Sequence, residues 1–151
     1  LFVNYKNKIQ ELLLLSKIEQ REKIILPVTL NEKEIENAEL LFETINSEII
    51  NKKLFTNPEF NISILSTILK TNNNYVAKAI RNKGYSNFNT YINHIRIKYV
   101  KTLLAERDLE KVTLMYIFTE AGFSSQSTFN RAFKQFEGIT PSEYISLNKN
   151  N

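Results

Sequence analysis

Two sets of outward-facing residues carry the chemistry this sequence can do. One is Gln126, Ser127, Asn130, Arg131 and Lys134; the other is Asn73, Asn74, Lys78 and Arg81, with the small Ala77 among them. Steps of one, three and four residues place each set on one face of a helix. A side-chain amide offers a donor beside an acceptor, a guanidinium offers two parallel donors, and an ammonium offers a point charge. Such a face can bind flat hydrogen-bonding edges and anionic oxygens. Left unpaired, it cannot be buried, so it must meet water or a polar ligand.

Other chemistry is poorly served. With no cysteine there is no disulfide, thiol nucleophile or thiolate metal site, which agrees with a reducing cytosol. The single histidine, His94, has no second histidine or cysteine with which to share a metal, so no metal site and no cofactor are expected. Glu106, Asp108 and Glu110 are the only compact acidic cluster in the basic half, and a solvated helix end explains them better than paired-carboxylate catalysis. No phosphate-binding glycine loop occurs, no enzyme is expected, and no apolar run approaches the roughly 18 residues of a membrane span.

Helices must position the two faces. Three glycines, three prolines and 42% hydrophobic residues in 151 imply a helical globular chain with a core of its own. From Val112 to Tyr144 the chain reads helix, tight turn, helix, short capped helix. Thr113 caps the first, whose apolar Leu114, Ile117, Phe118 and Ala121 recur at helical spacing. Gly122 ends it, since glycine takes the left-handed conformation without steric cost. After Phe123 and the capping serines Ser124 and Ser125, a second helix, about 125–136, buries Phe129, Ala132, Phe133 and Phe136 and turns the polar set outward. Thr140, Pro141 and Glu143 form a capping box for a third helix, roughly Pro141 to Leu147.

A helix-turn-helix whose second helix bears glutamine, asparagine and arginine is a common way to read the DNA major groove. The run GFSSQSTFNRAFKQFEGITPSEY also strongly resembles the C-terminal signature of the AraC/XylS family of bacterial transcription regulators. Gly122, Phe123, Ser125, Ser127, Phe129, Arg131, Phe133, Lys134, Gly138, Thr140, Pro141 and Tyr144 carry the match. Phe118 departs from it, standing where the family normally keeps alanine at the close approach of two helices. The resemblance implies double-stranded DNA as partner and recruitment or blocking of RNA polymerase, under control of a separate sensing domain.

The chain also repeats itself. Asn61 stands where Thr113 does, Leu65 where Ile117 does and Ser66 where Phe118 does, at an offset of 52. Beyond the turn the offset is 53, with Val76 matching Phe129, Lys78 matching Arg131 and Arg81 matching Lys134, so the second turn has one extra residue. A first unit therefore has its second helix at about 73–82, with Val76, Ala79 and Ile80 inward. It lacks the turn glycine, carrying Lys70 and Thr71, and Asn72 is the residue expected to accept a left-handed conformation. Residues 71 to 97 resemble the family's first unit and linker helix in Asn72, Tyr75, Phe88, Tyr91, Asn93 and Arg96, and the resemblance covers about 57–147. Between the units Asn87 caps a long helix with apolar Phe88, Tyr91, Ile92, Ile95, Tyr99 and Leu103. From Asn87 to Ala105 it spans roughly 28 Å at about 1.5 Å per residue, enough to hold two readers on groove segments ~34 Å apart.

The fold class expected is therefore all-α: two helix-turn-helix subdomains joined by a long linker helix and preceded by an N-terminal helical extension. Arg131 suits guanine O6 and N7, or a phosphate clamp; Gln126 suits adenine, and Ser127 and Asn130 offer shorter polar contacts to bases, phosphates or water. Lys134, Lys78 and Arg81 suit phosphates, while Asn73 and Asn74 could read bases or serve the cap and turn. Residues 57 to 151 hold twelve Lys/Arg against seven Asp/Glu, net +5; residues 1 to 56 hold eight against nine, net −1. The basic half is the half with the motif.

Upstream, residues 5 to 26 read as a helix ended by Pro27. A second helix runs from a capping Thr29 or Asn31 to about Lys53, with a heptad-like seam of Ile35, Ala38, Phe42, Ile45 and Ile49. The seam either packs onto the basic domain or pairs two chains as a homodimer. Leu54 to Phe60, containing Asn57-Pro58, reads as a turn or linker, which sets the expected division: 1–56 a connector or dimerisation segment, 57–151 the DNA-binding domain. A chain opening at Leu1 rather than methionine reads as part of a larger protein. Leu1 to Val3 with Lys6 and Lys8 leans toward the basic cytoplasmic flank of a membrane helix, hence a cytoplasmic location, and no small-molecule site is expected in this stretch. The alternative function is a protein-interaction module that keeps the helix-turn-helix packing and no longer reads DNA.

Overall fold

The computed structural model describes residues 32–149, with side chains from Asn37 to Asn148. The expected helix 5–26, its break at Pro27, the candidate caps Thr29 and Asn31, and Leu1 to Lys8 lie outside the described residues. Residues 37–149 form one compact unit, and every described element is helical. In chain order these are α1 (Glu32–Asn51), a 3-10 turn (Leu54–Thr56), α2 (Ile62–Ile68), α3 (Asn73–Asn82), α4 (Phe88–Glu106), α5 (Leu114–Glu120), α6 (Gln126–Glu137) and α7 (Pro141–Lys149).

Each boundary has a local cause. Asn61, Asn72, Asn87, Thr113 and Ser125 cap α2 to α6, each side-chain oxygen accepting from backbone N–H groups of the first turn that have no partner within the helix. At α7 the capping box closes as its sequence predicts: Thr140 N–H donates to Glu143 Oε2 at 2.7 Å, and Glu143 N–H to Thr140 Oγ1 at 3.3 Å. The Thr140 N–H, and then the Thr140 hydroxyl donating to the same Oε2, hold the exposed Glu143 carboxyl below the usual carboxylate range.

The first turn differs from expectation. Asn72 is not left-handed; it is the extended N-cap of α3, and Lys70 takes the left-handed place at φ 52°. Lys70 is thus the counterpart of Gly122, at φ 95°, and the bond Thr71 N–H to Ser66 O recurs as Phe123 N–H to Phe118 O. An asparagine side chain satisfies two N–H groups at a cap, which stabilises more than the left-handed role would.

Two cores share α4. Its first half gives Phe88, Tyr91, Ile92 and Ile95 to a core with Leu65, Val76, Ala79 and Ile80; its second half gives Ile97, Val100 and Leu103 to one with Ile117, Phe118, Phe129 and Phe133. Ile45 and Ile49 of α1 are wholly buried in the first core, where Phe42 packs on Tyr91 at 5.4 Å and Tyr91 donates to Asn46 at 2.9 Å. That part of the seam is therefore spent within the chain, leaving it unavailable for pairing two chains. Leu54–Phe60 is a turn, with Glu59 N–H bonded to the Asn57 side chain, but it is packed: Phe55 and Phe60 are both buried. Phe118 fits where a small residue was expected because it lies flat on Phe129, centroids 5.0 Å apart at 20°.

Candidate nucleic-acid interface

The core-facing stripe of α3 is Val76, Ala79 and Ile80; that of α6 is Phe129, Ala132 and Phe133, with Phe136 half-buried beside them. Burying those stripes forces the other faces outward. Asn73, Asn74, Lys78 and Arg81 on α3 and Gln126, Ser127, Asn130, Arg131 and Lys134 on α6 are all exposed, and Ala77 is half-buried. A small residue at that point leaves α3 room for close approach to a large ligand.

Neutralisation by neighbours would disable such a face. Among the described residues the ion pairs are Lys52–Glu48, Lys83–Glu39, Lys101–Glu137, Arg107–Glu120 and Lys111–Asp108, and none involves Lys78, Arg81, Arg131 or Lys134. No acidic residue occurs in α3, and the one in α6, Glu137, is engaged by Lys101 at 2.8 Å. Four cations thus stand exposed and outside any ion pair among the described residues, on two helices of equivalent place in the repeat, with Glu143 near enough to Lys134 to feel its charge.

Asn73 is otherwise occupied. Its amide donates to Ser63 Oγ at 3.0 Å, tying α3 to α2, so it braces the first unit and Asn74 is the freer amide. Tyr75, 60% exposed beside Asn74, adds a phenol that is absent from the polar sets read in the sequence. The signal was available: Tyr75 precedes the buried Val76 and falls off the Val76, Ala79, Ile80 stripe.

Elsewhere the polar groups are accounted for. His94 is half-buried, with Nδ1 2.6 Å from the Tyr85 hydroxyl and its ring stacked on Phe136 at 4.7 Å. Burial, then the charge of Lys98, lowers its pKa, Glu137 opposes this and Lys101 adds to it, so the neutral ring is favoured. Asp108 and Glu110 line an open groove of about 640 Å³ with Lys101, Arg107 and Tyr144. Asp108 accepts from Glu110 N–H and pairs with Lys111 at 3.1 Å, which holds its carboxyl low, the reverse of what a general acid needs. No helix among the described residues is long and apolar enough to cross a membrane.

The functional set overlooked in the sequence is internal. Arg96, flanked by Ile95 and Ile97, is only 8% exposed; its Nε–H donates to the Phe55 carbonyl at 2.8 Å and its NH2 to the Asn57 carbonyl at 2.9 Å. An arginine inside an apolar stripe is the signal for such a role, because a buried guanidinium requires partners.

A tandem helix-turn-helix hung on one long helix, with a basic amide-bearing face on each second helix, defines the class. The family profile described as helix-turn-helix domain matches residues 65–146, more than half of the chain, and the chain belongs to that family, in its AraC type. The HTH-type transcriptional regulator YijO of Escherichia coli (strain K12) is 34% identical over 71 residues, 47% of this chain and 24% of that protein. The chain thus spans about a quarter of that relative's length. Among solved structures, the C-terminal domain of the two-component response regulator YesN from Fusobacterium nucleatum is similar with TM-score 0.58 and 25% identity, covering 70% of this chain and 97% of that one. A protein of unknown function from Listeria innocua (TM-score 0.59, 24% identity, 70% and 95% covered) shares the fold. So does a DNA-binding transcriptional dual regulator from Escherichia coli K-12 (0.56, 18%, 68% and 93%).

Proposed function

We propose that the chain is a sequence-specific transcription regulator that lays α3 and α6 into adjacent major-groove segments of double-stranded DNA. The observation that carries this reading is the pair of basic faces, two cations outside any ion pair and at least one free amide on each second helix, with the one carboxylate on these helices, Glu137, engaged by Lys101. Arg131, with Gln126 and Asn130, is the base reader of the second unit; Asn74 and Lys78 serve the first, and Arg81 and Lys134 neutralise phosphates. Asn73 contributes by holding α3 on α2. The function is not enzymatic: it requires binding energy and no turnover. Residues 57–151 act as the DNA-binding domain, 1–56 as the connector whose α1 end is built into it, and the protein works in the cytoplasm. Contact with RNA polymerase follows from family resemblance. A homodimer through the Ile35–Ile49 helix would have to use the side of α1 that bears exposed Leu40 and Ile50, since Ile45 and Ile49 are inside.

The test is selection of bound sequences from random duplexes, with wild type and Arg131→Ala run in parallel at two salt concentrations. Enrichment of two short blocks about one helical turn apart, one of them relaxed in the variant, supports the two-reader mechanism. Equal, weak and salt-erased binding by both proteins, with no enriched sequence, rejects it and favours a protein partner.

A further inference from the structure

Two helix-turn-helix units on one helix need a fixed mutual geometry if they are to enter successive groove segments together. α4 alone supplies one hinge line, since each unit packs on a different half of it. The described chain contains a second connection, the 3-10 turn Leu54–Thr56. On one side its Phe55 is buried in the first core, edge-on to Tyr99 at 5.3 Å. On the other it lies against the turn of the second unit: a Cβ on Gly122 would strike the Phe55 carbonyl oxygen and come within 2.9 Å of Thr56 C and O. Arg96 closes the arrangement from α4. It holds the Phe55 and Asn57 carbonyls with two charge-assisted hydrogen bonds while its guanidinium lies over the Phe123 ring, 5.6 Å from the centroid.

We infer that Arg96 and the Leu54–Asn57 strap lock the second helix-turn-helix unit to the first, so that Arg96 is a positioning residue that sets the spacing of DNA blocks the protein accepts. Arginine suits the task because its planar fork reaches two carbonyls at once and still presents a face to an aromatic ring. Lysine, with one mobile ammonium, can keep the charge but not this clasp. Gly122 matters for the same reason, as the only residue that lets the strap backbone reach the second turn. The strap follows directly on α1, so a displacement of α1 would be felt at the second unit.

The consequence for DNA rests on the two-reader function proposed above; the locking itself does not. Because the chain has no cysteine, labels can be placed singly on Asn82→Cys and Gln135→Cys, both exposed and on the two second helices. Pulsed electron-spin distance measurement on the free protein should give one narrow distribution in the wild-type background, and a broadened or shifted one with Arg96→Lys. Phe55→Leu, which keeps the fold more readily, should do the same to a smaller extent. Leu103→Ala serves as control, lowering stability from the far end of α4 without touching the strap, and should leave the distribution narrow. An unchanged distribution in both strap variants, or equal broadening in the control, overturns the inference.

On duplexes carrying the two selected blocks at varied separation, Arg96→Lys should reduce the preference for the best spacing by roughly tenfold, the worth of one charge-assisted hydrogen bond, with affinity for a single block unchanged. An intact spacing preference in that variant overturns it too. A wild-type protein with no sequence preference at all instead refutes the two-reader function, and the distance measurement then decides the locking alone.

Discussion

Arg131 and Arg96 are both helical arginines, and their surroundings assign them opposite work. Arg131 is exposed and without an acidic partner, so its five donors remain free for a ligand; Arg96 is buried with its donors committed to carbonyls, and burial pushes it below the usual arginine value. Arg131→Ala is expected to cost about 1 to 3 kcal/mol on the preferred sequence and to relax one block only, read by competition binding. Lys134→Ala should instead weaken binding on every sequence and lower the magnitude of the log K against log salt slope by about 0.9. A sequence-selective effect of Lys134→Ala would reverse that assignment. Ser66, the counterpart of Phe118, has a buried hydroxyl oxygen with no hydrogen-bond partner in the structure. Ser66→Ala should therefore raise stability by about 1 kcal/mol in urea unfolding, and a loss of that size would mean the hydroxyl is paired.

At the scale of elements the two helix-turn-helix turns solve one problem differently. Lys70 tolerates a left-handed backbone that costs a non-glycine residue about 1 to 2 kcal/mol, so Lys70→Gly should gain up to ~1 kcal/mol after the entropy glycine loses. Gly122 cannot be treated so, because the strap backbone fills the space of a side chain. Gly122→Ala should cost at least ~2 kcal/mol, whereas Gly138→Ala, at a left-handed cap with nothing within 4 Å, should cost about 1 kcal/mol. Equal losses at the two glycines in thermal unfolding would contradict the close approach. α4 and α6 meet at His94, whose folded pKa lies below its ordinary 6.5. Between those two values the unfolded chain binds more protons than the folded one, so stability falls as pH drops through that window and levels off below it. His94→Gln should flatten this part of the Tm against pH profile; an unchanged profile would assign the dependence to other groups.

At the largest scale the described residues form two small cores threaded by one helix, and that arrangement explains how much could be read in advance. Helices, caps and the inward stripes of α3 and α6 were legible because they depend on residues within four positions of one another. The repeat at offsets of 52 and 53 gave the second unit its counterpart, and the resemblance to the AraC type gave the pair a class. The left-handed place of the first turn falls to Lys70 and not to Asn72, because a lysine and an asparagine compete there for turn and cap and the backbone pattern alone does not rank them. The burial of Ile45 and Ile49 was one of two open choices, since an apolar seam does not say what covers it.

What the sequence by itself determined is the set of local structures and the two outward polar faces, since hydrogen-bonding and hydrophobic periodicity are properties of neighbouring residues. What only the tertiary structure decided is how the units are held to each other. Arg96 bonds a carbonyl 41 positions away, and the need for glycine at 122 comes partly from a backbone 66 and 67 residues upstream. Contacts of that kind involve carbonyls, which every residue possesses, so no residue type marks the partner and only the fold identifies it.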